Sequence, residues 1–550
     1  MRIFYLLVFL LFIQGSPYGQ SITYSRTGNN NYKRCRLDVI AKHDNKILLY
    51  KSVWSAPPFA DIAPSMAIPA SANPDLIRLA ALDRQSLIAD RYILKSSLYI
   101  LDSNMNLLEE KPLALPTRIT GVHFLVYDDF FYLFYQYIIG HTIYCMAAKV
   151  DMDGRLIGDP IVMDKTYNLD IHYQSQIYTV IYSENKDHIA AFTIDDRADD
   201  GNIVNILSFD RDLHLLHRSA HHLSTMGGSE HLSEFQVDND GNVVFLGLSG
   251  STREKDPHKA VLFSLPPGKD SVALRYPLPD NIFADAIRML IDNVHKRYIL
   301  ASFYRPRAQG HVEGLFYRIM DMEGRKPDIV IAMPLENLPT NRTGSTDNLQ
   351  GPFDDYYLQQ MHLLGDGGLE IDAEQLTYSP TQPLFDRWNY HSYFPEYIAS
   401  HYLFYDPYEY DHIYPWKEWE YLGRRFMYHS SRTVAIALEP GQWGRKWISV
   451  INMPQLDQLH YTLGYKTVAA NGLLYFIYND RIGHATVLTA QSIDAGGVLN
   501  TDSRLKEDLA LPLSDKDYEY FPRLAKLVDA GEVIMPCLRG EIIYLARIRL

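Results

Sequence analysis

LDSNMNLL at residues 101–108 places an apolar residue before an Asp, a few polar positions and a return to apolar residues, and the chain repeats this arrangement. It recurs as VDMDGRLI (150–157), FDRDLHLL (209–216), MDMEGRKP (320–327), LEPGQWGRKW (438–447) and IDAGGVLN (493–500). A tight hairpin needs residues that accept left-handed backbone geometry or bond their own turn, and Asp, Asn and Gly do both. Each copy is therefore read as the turn between two antiparallel strands.

Working outward, the segments before these turns are rich in β-branched and aromatic residues. Examples are FFYLFYQY (130–137), IYCMAAKV (143–150) and YILASFY (298–304). Several are apolar on both faces, so both faces must be covered. Sheets stacked face to face around a ring meet that demand, whereas one exposed sheet does not. The repeats fall at 35–113, 117–164, 176–221, 232–280, 284–335, 357–455 and 460–503, with a shorter unit at 520–550. The segment from Ile22 to Ser25 supplies the strand that the last unit lacks, and closing the ring with both ends removes an exposed edge. The expected fold is an all-β propeller of eight blades, with seven as the neighbouring count. Its spacing fits blades of about 40–50 residues.

The chain has 550 residues, with 47% hydrophobic, 21% charged and 13% aromatic residues, 40 of them Tyr. That composition is globular and suits strands. A net charge of −14, with no Lys/Arg block, argues against nucleic acid as a partner. Arg2 precedes an apolar run from Ile3 to Ile13 that is broken at Gln14, the pattern of a signal peptide over 1–19. The remaining 20–550 is read as one propeller domain, and no transmembrane segment is expected, because no later run approaches about 18 apolar residues. Cys35, Cys145 and Cys537 are far apart and odd in number, which suits buried free thiols better than a disulfide framework or a zinc site. None follows the leader, so no lipid anchor is expected.

Two segments interrupt the rhythm. Residues 54–75 are rich in Ala, Pro and Ser and read as a loop within the first unit. Residues 380–430 read as an insertion in the sixth, since Pro383, Pro395, Pro407 and Pro415 break any long helix. The insertion holds Trp388, Tyr390, Tyr393, Tyr397, Tyr405, Tyr408, Tyr410, Tyr414, Trp416 and Trp419, the candidate ligand-binding residues. Flat aromatics can stack on sugar rings or fill a partner's pockets; equally, they can pack on one another.

Other motifs read as structure. His214, His217, His221, His222 and His231 have spacings that would ligate a metal on a helix, but here they follow a hairpin turn and belong to a strand and its exit. Asp195, Asp196, Asp199 and Asp200 could hold calcium, yet they are ordinary turn residues. Asp238 and Asp240 lack the remaining ligands of a calcium loop. No metal and no cofactor are expected. No nucleophile elbow, zincin motif or P-loop is present, so no catalytic residue can be named.

SLYILDSNMNLLEEK (97–111), DFFYLFYQY (129–137), IYCMAAKVD (143–151), RYILASFY (297–304), EGLFYRIMD (313–321), DGGLEIDAEQLTYS (366–379) and PRLAKLVDAGEVIMPCLRGEIIYLARI (522–548) together resemble an uncharacterised family of secreted proteins from Bacteroidota. The resemblance implies a cell-envelope or exported protein of propeller type and carries no activity or catalytic residue with it; the expected location is periplasmic or extracellular. The expected function is a non-catalytic binding or scaffolding propeller whose partner is a protein or a glycan. The alternatives are a glycan-active hydrolase or lyase, and a structural envelope protein that self-associates through the insertion. An enzyme should show carboxylates or histidines converging on the ring axis; a binding module should show aromatics and few buried charges.

Overall fold

The computed structural model describes residues 21–25, 30–31, 35–54, 93–117, 119–167, 178–195, 202–223, 231–249, 259–269, 272–279, 282–284, 287–307, 310–335, 353–379, 420–421, 424–425, 427–457, 463–482, 485–500, 506–507 and 518–550. They form an eight-bladed β-propeller. Blades 1 to 7 are antiparallel sheets whose strands follow chain order outward from the axis. Blade 1 runs from Cys35–His43 to Leu107–Pro112, and blade 2 from Ile119–Val126 to Ile161–Tyr167. Blades 3 and 4 begin at Thr179–Tyr182 and His231–Val237. Blades 5, 6 and 7 begin at Phe283–Ala284, Tyr356–Leu363 and Tyr465–Ala470.

Blade 8 combines both ends of the chain. Its strands Glu532–Arg539 and Ile542–Arg549 are completed by Ser21–Tyr24, which pairs with Ile542–Arg549 in antiparallel register from Ser21↔Arg549 to Tyr24↔Ala546. Tyr24 stacks on Tyr518 with ring centroids 4.4 Å apart, and its hydroxyl lies 2.5 Å from that of Tyr520. The strand expected at Ile22–Ser25 thus closes the ring one residue earlier.

Four of the six repeated turns share one construction. Asp102, Asp151, Asp210 and Asp494 each use a single carboxylate oxygen to accept the backbone N–H groups two and four residues ahead, at 2.8–3.0 Å. The residue three positions after the Asp is left-handed in each: Met105 (φ 65°), Gly154 (83°), Leu213 (62°) and Gly497 (81°). At Gly497 the requirement is also steric, since a Cβ would lie 2.5 Å from the Trp447 ring. Met105 and Leu213 bear the backbone cost because their side chains are buried between blades.

Hydrophobic cores lie between successive blades. Between blades 3 and 4, Phe192, Phe235, Phe245 and Phe263 stack in series at centroid spacings of 4.2, 4.4 and 4.9 Å. The three cysteines are buried free thiols. Burial pushes the Cys35 thiol up to about 11, and raises Cys145 and Cys537 as well, so none offers a thiolate at neutral pH.

Candidate functional site: an axial cavity beside a buried acid stripe

The fourth strands of the blades are largely exposed, whereas the first strands line a cavity of about 510 Å³ on the ring axis. Its wall comes from the inner strands of blades 4, 5, 6 and 7, with Glu374 of the second strand of blade 6, Arg523 and Leu527 of blade 8 and Glu184 from the first turn of blade 3. At that turn level an asparagine ladder ties three blades together. The Asn185 N–H donates to Asn239 Oδ1 (3.0 Å), the Asn239 N–H donates to Asn293 Oδ1 (2.8 Å), and Asn293 Nδ2 donates to Glu184 Oε2 (2.8 Å).

Polar side chains face this space. In blade 4, the strand is bulged between Ser233 and Gln236, and Glu234 takes a left-handed conformation (φ 59°). The bulge turns the buried Glu234 carboxylate toward blade 5, where it accepts from Arg288 Nη1 (3.0 Å) and the Met289 N–H (2.8 Å). Gln236 Nε2 donates to Met289 O at 2.7 Å. A second bulge, between Leu358 and Gln360 in blade 6, sets the phase of Gln360 and His362. Thr467 of blade 7 donates to Gln360 Oε1, and its oxygen lies 3.0 Å from His362 Nε2.

Behind His362 runs the most unusual segment of the chain. The second strand of blade 6, Leu369–Ser379, reads LEIDAEQLTYS. Side chains alternate along a strand, so its residues divide between two faces. Leu369, Ile371 and Ala373 pack into the core shared with blade 5. Glu370, Asp372 and Glu374 point the other way, toward blade 7, and all three are fully buried. Register places Glu370 opposite His362 and Asp372 opposite Gln360 on the first strand. It places them opposite Ala437 and Ala435 on the third strand, whose small side chains leave the carboxylates room.

Compensation along this stripe is uneven. Glu374 pairs with Arg523 at 2.5 Å. Asp372 Oδ1 accepts from the Tyr465 hydroxyl and from the Gln360 N–H at 3.2 Å. Asp372 Oδ2 and both oxygens of Glu370 have no hydrogen-bond partner. Burial pushes the Glu370 carboxyl well above its usual range, and the negative charge of Asp372 adds to the shift. Burial also raises the Tyr465 hydroxyl, aided by the neighbouring carboxylates, so it remains a proton donor. His362 Nε2 lies 3.5 Å from Asp372 Oδ2 and 4.0 Å from Glu370 Oε2.

The sequence candidates stand elsewhere. Trp388, Tyr390, Tyr393, Tyr397, Tyr405, Tyr408, Tyr410, Tyr414, Trp416 and Trp419 all lie outside the described residues, as do Asp196, Asp199 and Asp200. The segment carrying those aromatics leaves blade 6 at Ser379, at the far end of the strand from Glu370. His214 belongs to the turn and not the following strand, and its ring contacts Asp210 Oδ2 at 2.9 Å. That contact raises the imidazole's affinity for its proton. Asp238 is taken up by the N–H groups of Asp240 and Asn242, the Asn242 side chain and the Tyr298 hydroxyl, as a hairpin turn requires. Glu370, Asp372, Glu374 and His362 were not singled out from sequence. The available signal was three acids at alternate positions of a strand whose other face is apolar.

No protein-family model and no curated protein matches the chain. Among solved structures, it is similar to a polysaccharide lyase at 8% identity, over 80% of this chain and 91% of that one, with a TM-score of 0.38. It is similar to a prolyl endopeptidase at 8% identity, over 93% of this chain and 54% of that one, with a TM-score of 0.36. A protein of unknown function from Dyadobacter fermentans is similar at 12% identity, over 65% of this chain and 94% of that one, with a TM-score of 0.27. At these identities and scores the likenesses carry no information about activity; the eight sheets themselves define the fold.

Proposed function

We propose that the protein is an exported propeller of the cell envelope that binds a small polar ligand, a glycan unit, in its axial cavity. One observation carries this reading: a cavity of about 510 Å³ is lined by amide, hydroxyl and charged side chains delivered by successive blades. Its volume lies within the range of about 300–1,000 Å³ typical of small-molecule sites. Gln359, Gln360 and Thr467 offer donors and acceptors, while Lys466 and Arg523 offer positive charge. Hydroxyl-rich rings are recognised by such arrays. Calorimetric titration of a panel of oligosaccharides tests the reading. Lys466→Ala and Gln360→Ala should each weaken binding about tenfold or more, the scale of a lost hydrogen bond to a charged or buried group. Unchanged affinity in both variants, or loss of binding only when residues 380–426 are replaced by a short linker, would move the site to the aromatic insertion.

A second reading is a glycan hydrolase or lyase on the same cavity. It is favoured by the convergence of Glu370, Asp372 and His362, with burial and the Asp372 charge pushing the Glu370 carboxyl well above its usual range. New reducing ends, or the ultraviolet absorbance of an unsaturated uronic acid, would establish it. The third reading, self-association through the insertion, predicts oligomers that disappear with that segment in sedimentation analysis.

A further inference from the structure

The carboxylates of Glu370 and Asp372 present a physical problem that the hydrogen bonds of the described side chains leave unsolved. Two acids at alternate positions of one strand face the same buried space, three of their four oxygens have no hydrogen-bond partner among the described residues, and the neighbouring guanidinium of Arg523 is engaged by Glu374. Burying ionised carboxylates without a counter-charge is costly. The groups that hydrogen-bond to them are neutral, the Tyr465 hydroxyl and the Gln360 backbone N–H, and the His362 imidazole stands next nearest.

We propose that His362 Nε2, Glu370 Oε2 and Asp372 Oδ2 form a binding site for one first-row divalent cation of the zinc or manganese class. These donors all lie within 4.8 Å of one another, with His362 to Asp372 at 3.5 Å and His362 to Glu370 at 4.0 Å. Ligands about 2.1 Å from a tetrahedral or octahedral ion stand roughly 3.0–3.4 Å apart, so a small inward movement completes the geometry. One imidazole and two carboxylates suit zinc or manganese; calcium would need six to eight oxygens. Binding uses the Nε2 lone pair, so the imidazole is neutral with its proton on Nδ1, and Nε2 exchanges its contact with Thr467 for the ion. His362 is half-buried and lines the axial cavity, so the ion's remaining coordination positions face that space. The site stands on the carboxylates' environment and does not depend on any glycan occupying the cavity.

The test uses tag-free, full-length protein stripped with chelator and dialysed against Zn²⁺ or Mn²⁺ separately, with bound metal counted by inductively coupled plasma mass spectrometry and affinity measured by titration. Wild type should take up about one ion per chain. His362→Ala and Glu370→Gln should each weaken binding by about tenfold or more, and the ion should raise the melting temperature of wild type but not of either variant. Circular dichroism of the chelated variants checks that both fold; Glu370→Gln preserves shape and removes only charge. Substoichiometric uptake by wild type, or unchanged affinity in both folded variants, would overturn the proposal. Oligosaccharide binding that persists in chelator, alongside proven metal binding, would separate this site from the cavity reading.

Discussion

Two of the seams that bury acidic side chains between blades treat them in opposite ways. At the seam joining blade 8 to blade 1, Glu532 accepts from Arg547 Nε at 2.9 Å and Nη2 at 2.7 Å, with Lys42 of blade 1 at 3.2 Å. Lys42 also reaches Asp529 at 2.7 Å. Although burial alone would raise the Glu532 carboxyl, Arg547 and Lys42 outweigh it and hold it below its usual range. At the seam between blades 6 and 7, Glu370 sits beside Asp372 with no Lys or Arg ion pair among the described residues, and its carboxyl is driven upward. Burial is common to both; the difference is whether the sequence supplies the positive charge. Where it does, the carboxylate staples the ring at its closure. Where the described residues do not, the proposed site takes its cation from solution.

The comparison breaks most sharply at its paired half. Arg547→Met leaves Glu532 buried against an apolar neighbour and should cost roughly 3–5 kcal/mol, read as a fall in urea midpoint. Next in size, Glu370→Leu should leave the chelated protein as stable as wild type, or more stable by about 1–4 kcal/mol, because it replaces an uncompensated buried acid with a packing side chain. A large loss of stability in Glu370→Leu would show that the acid has a partner within the chain. The pH dependence of the paired seam sharpens the contrast. Glu532 has a depressed folded value, so its contribution is present above the unfolded carboxyl value of about 4.3 and is lost as pH falls through the folded one. The stability gap between wild type and Arg547→Met should therefore narrow on acidification below about pH 4. Smallest of all, Asp494→Ala removes two hydrogen bonds from an exposed turn and should cost about 1 kcal/mol by the same measurement.

The propeller was legible because its signals are local. Asp102, Asp151, Asp210 and Asp494 bond amides only two and four residues away, so each turn announces itself within five residues. The blade count followed from those turns and from the strand at Ile22. What stayed hidden was the meaning of LEIDAE in the sixth blade. At the corresponding strand positions of blade 4, Val244, Leu246 and Leu248 pack against blade 5. Alternating acids stand in their place in blade 6, and nothing within the segment marks them as buried. Their burial depends on partners distant along the chain: Tyr465 lies 93 residues from Asp372, and Arg523 lies 149 residues from Glu374. No local pattern reports such neighbours. The axial cavity is invisible for the same reason, since each of its walls is an ordinary first strand. Even where the turns were legible, Met105 and Leu213 were not expected to be left-handed, because their compensation is burial between blades.

The most direct test is anomalous diffraction from crystals of the full chain grown after stripping and reloading with Zn²⁺, with data collected on both sides of the zinc absorption edge. The account predicts one edge-dependent peak about 2.0–2.2 Å from His362 Nε2 and from a carboxylate oxygen each of Glu370 and Asp372. An edge-dependent map with no peak between those three side chains would contradict it.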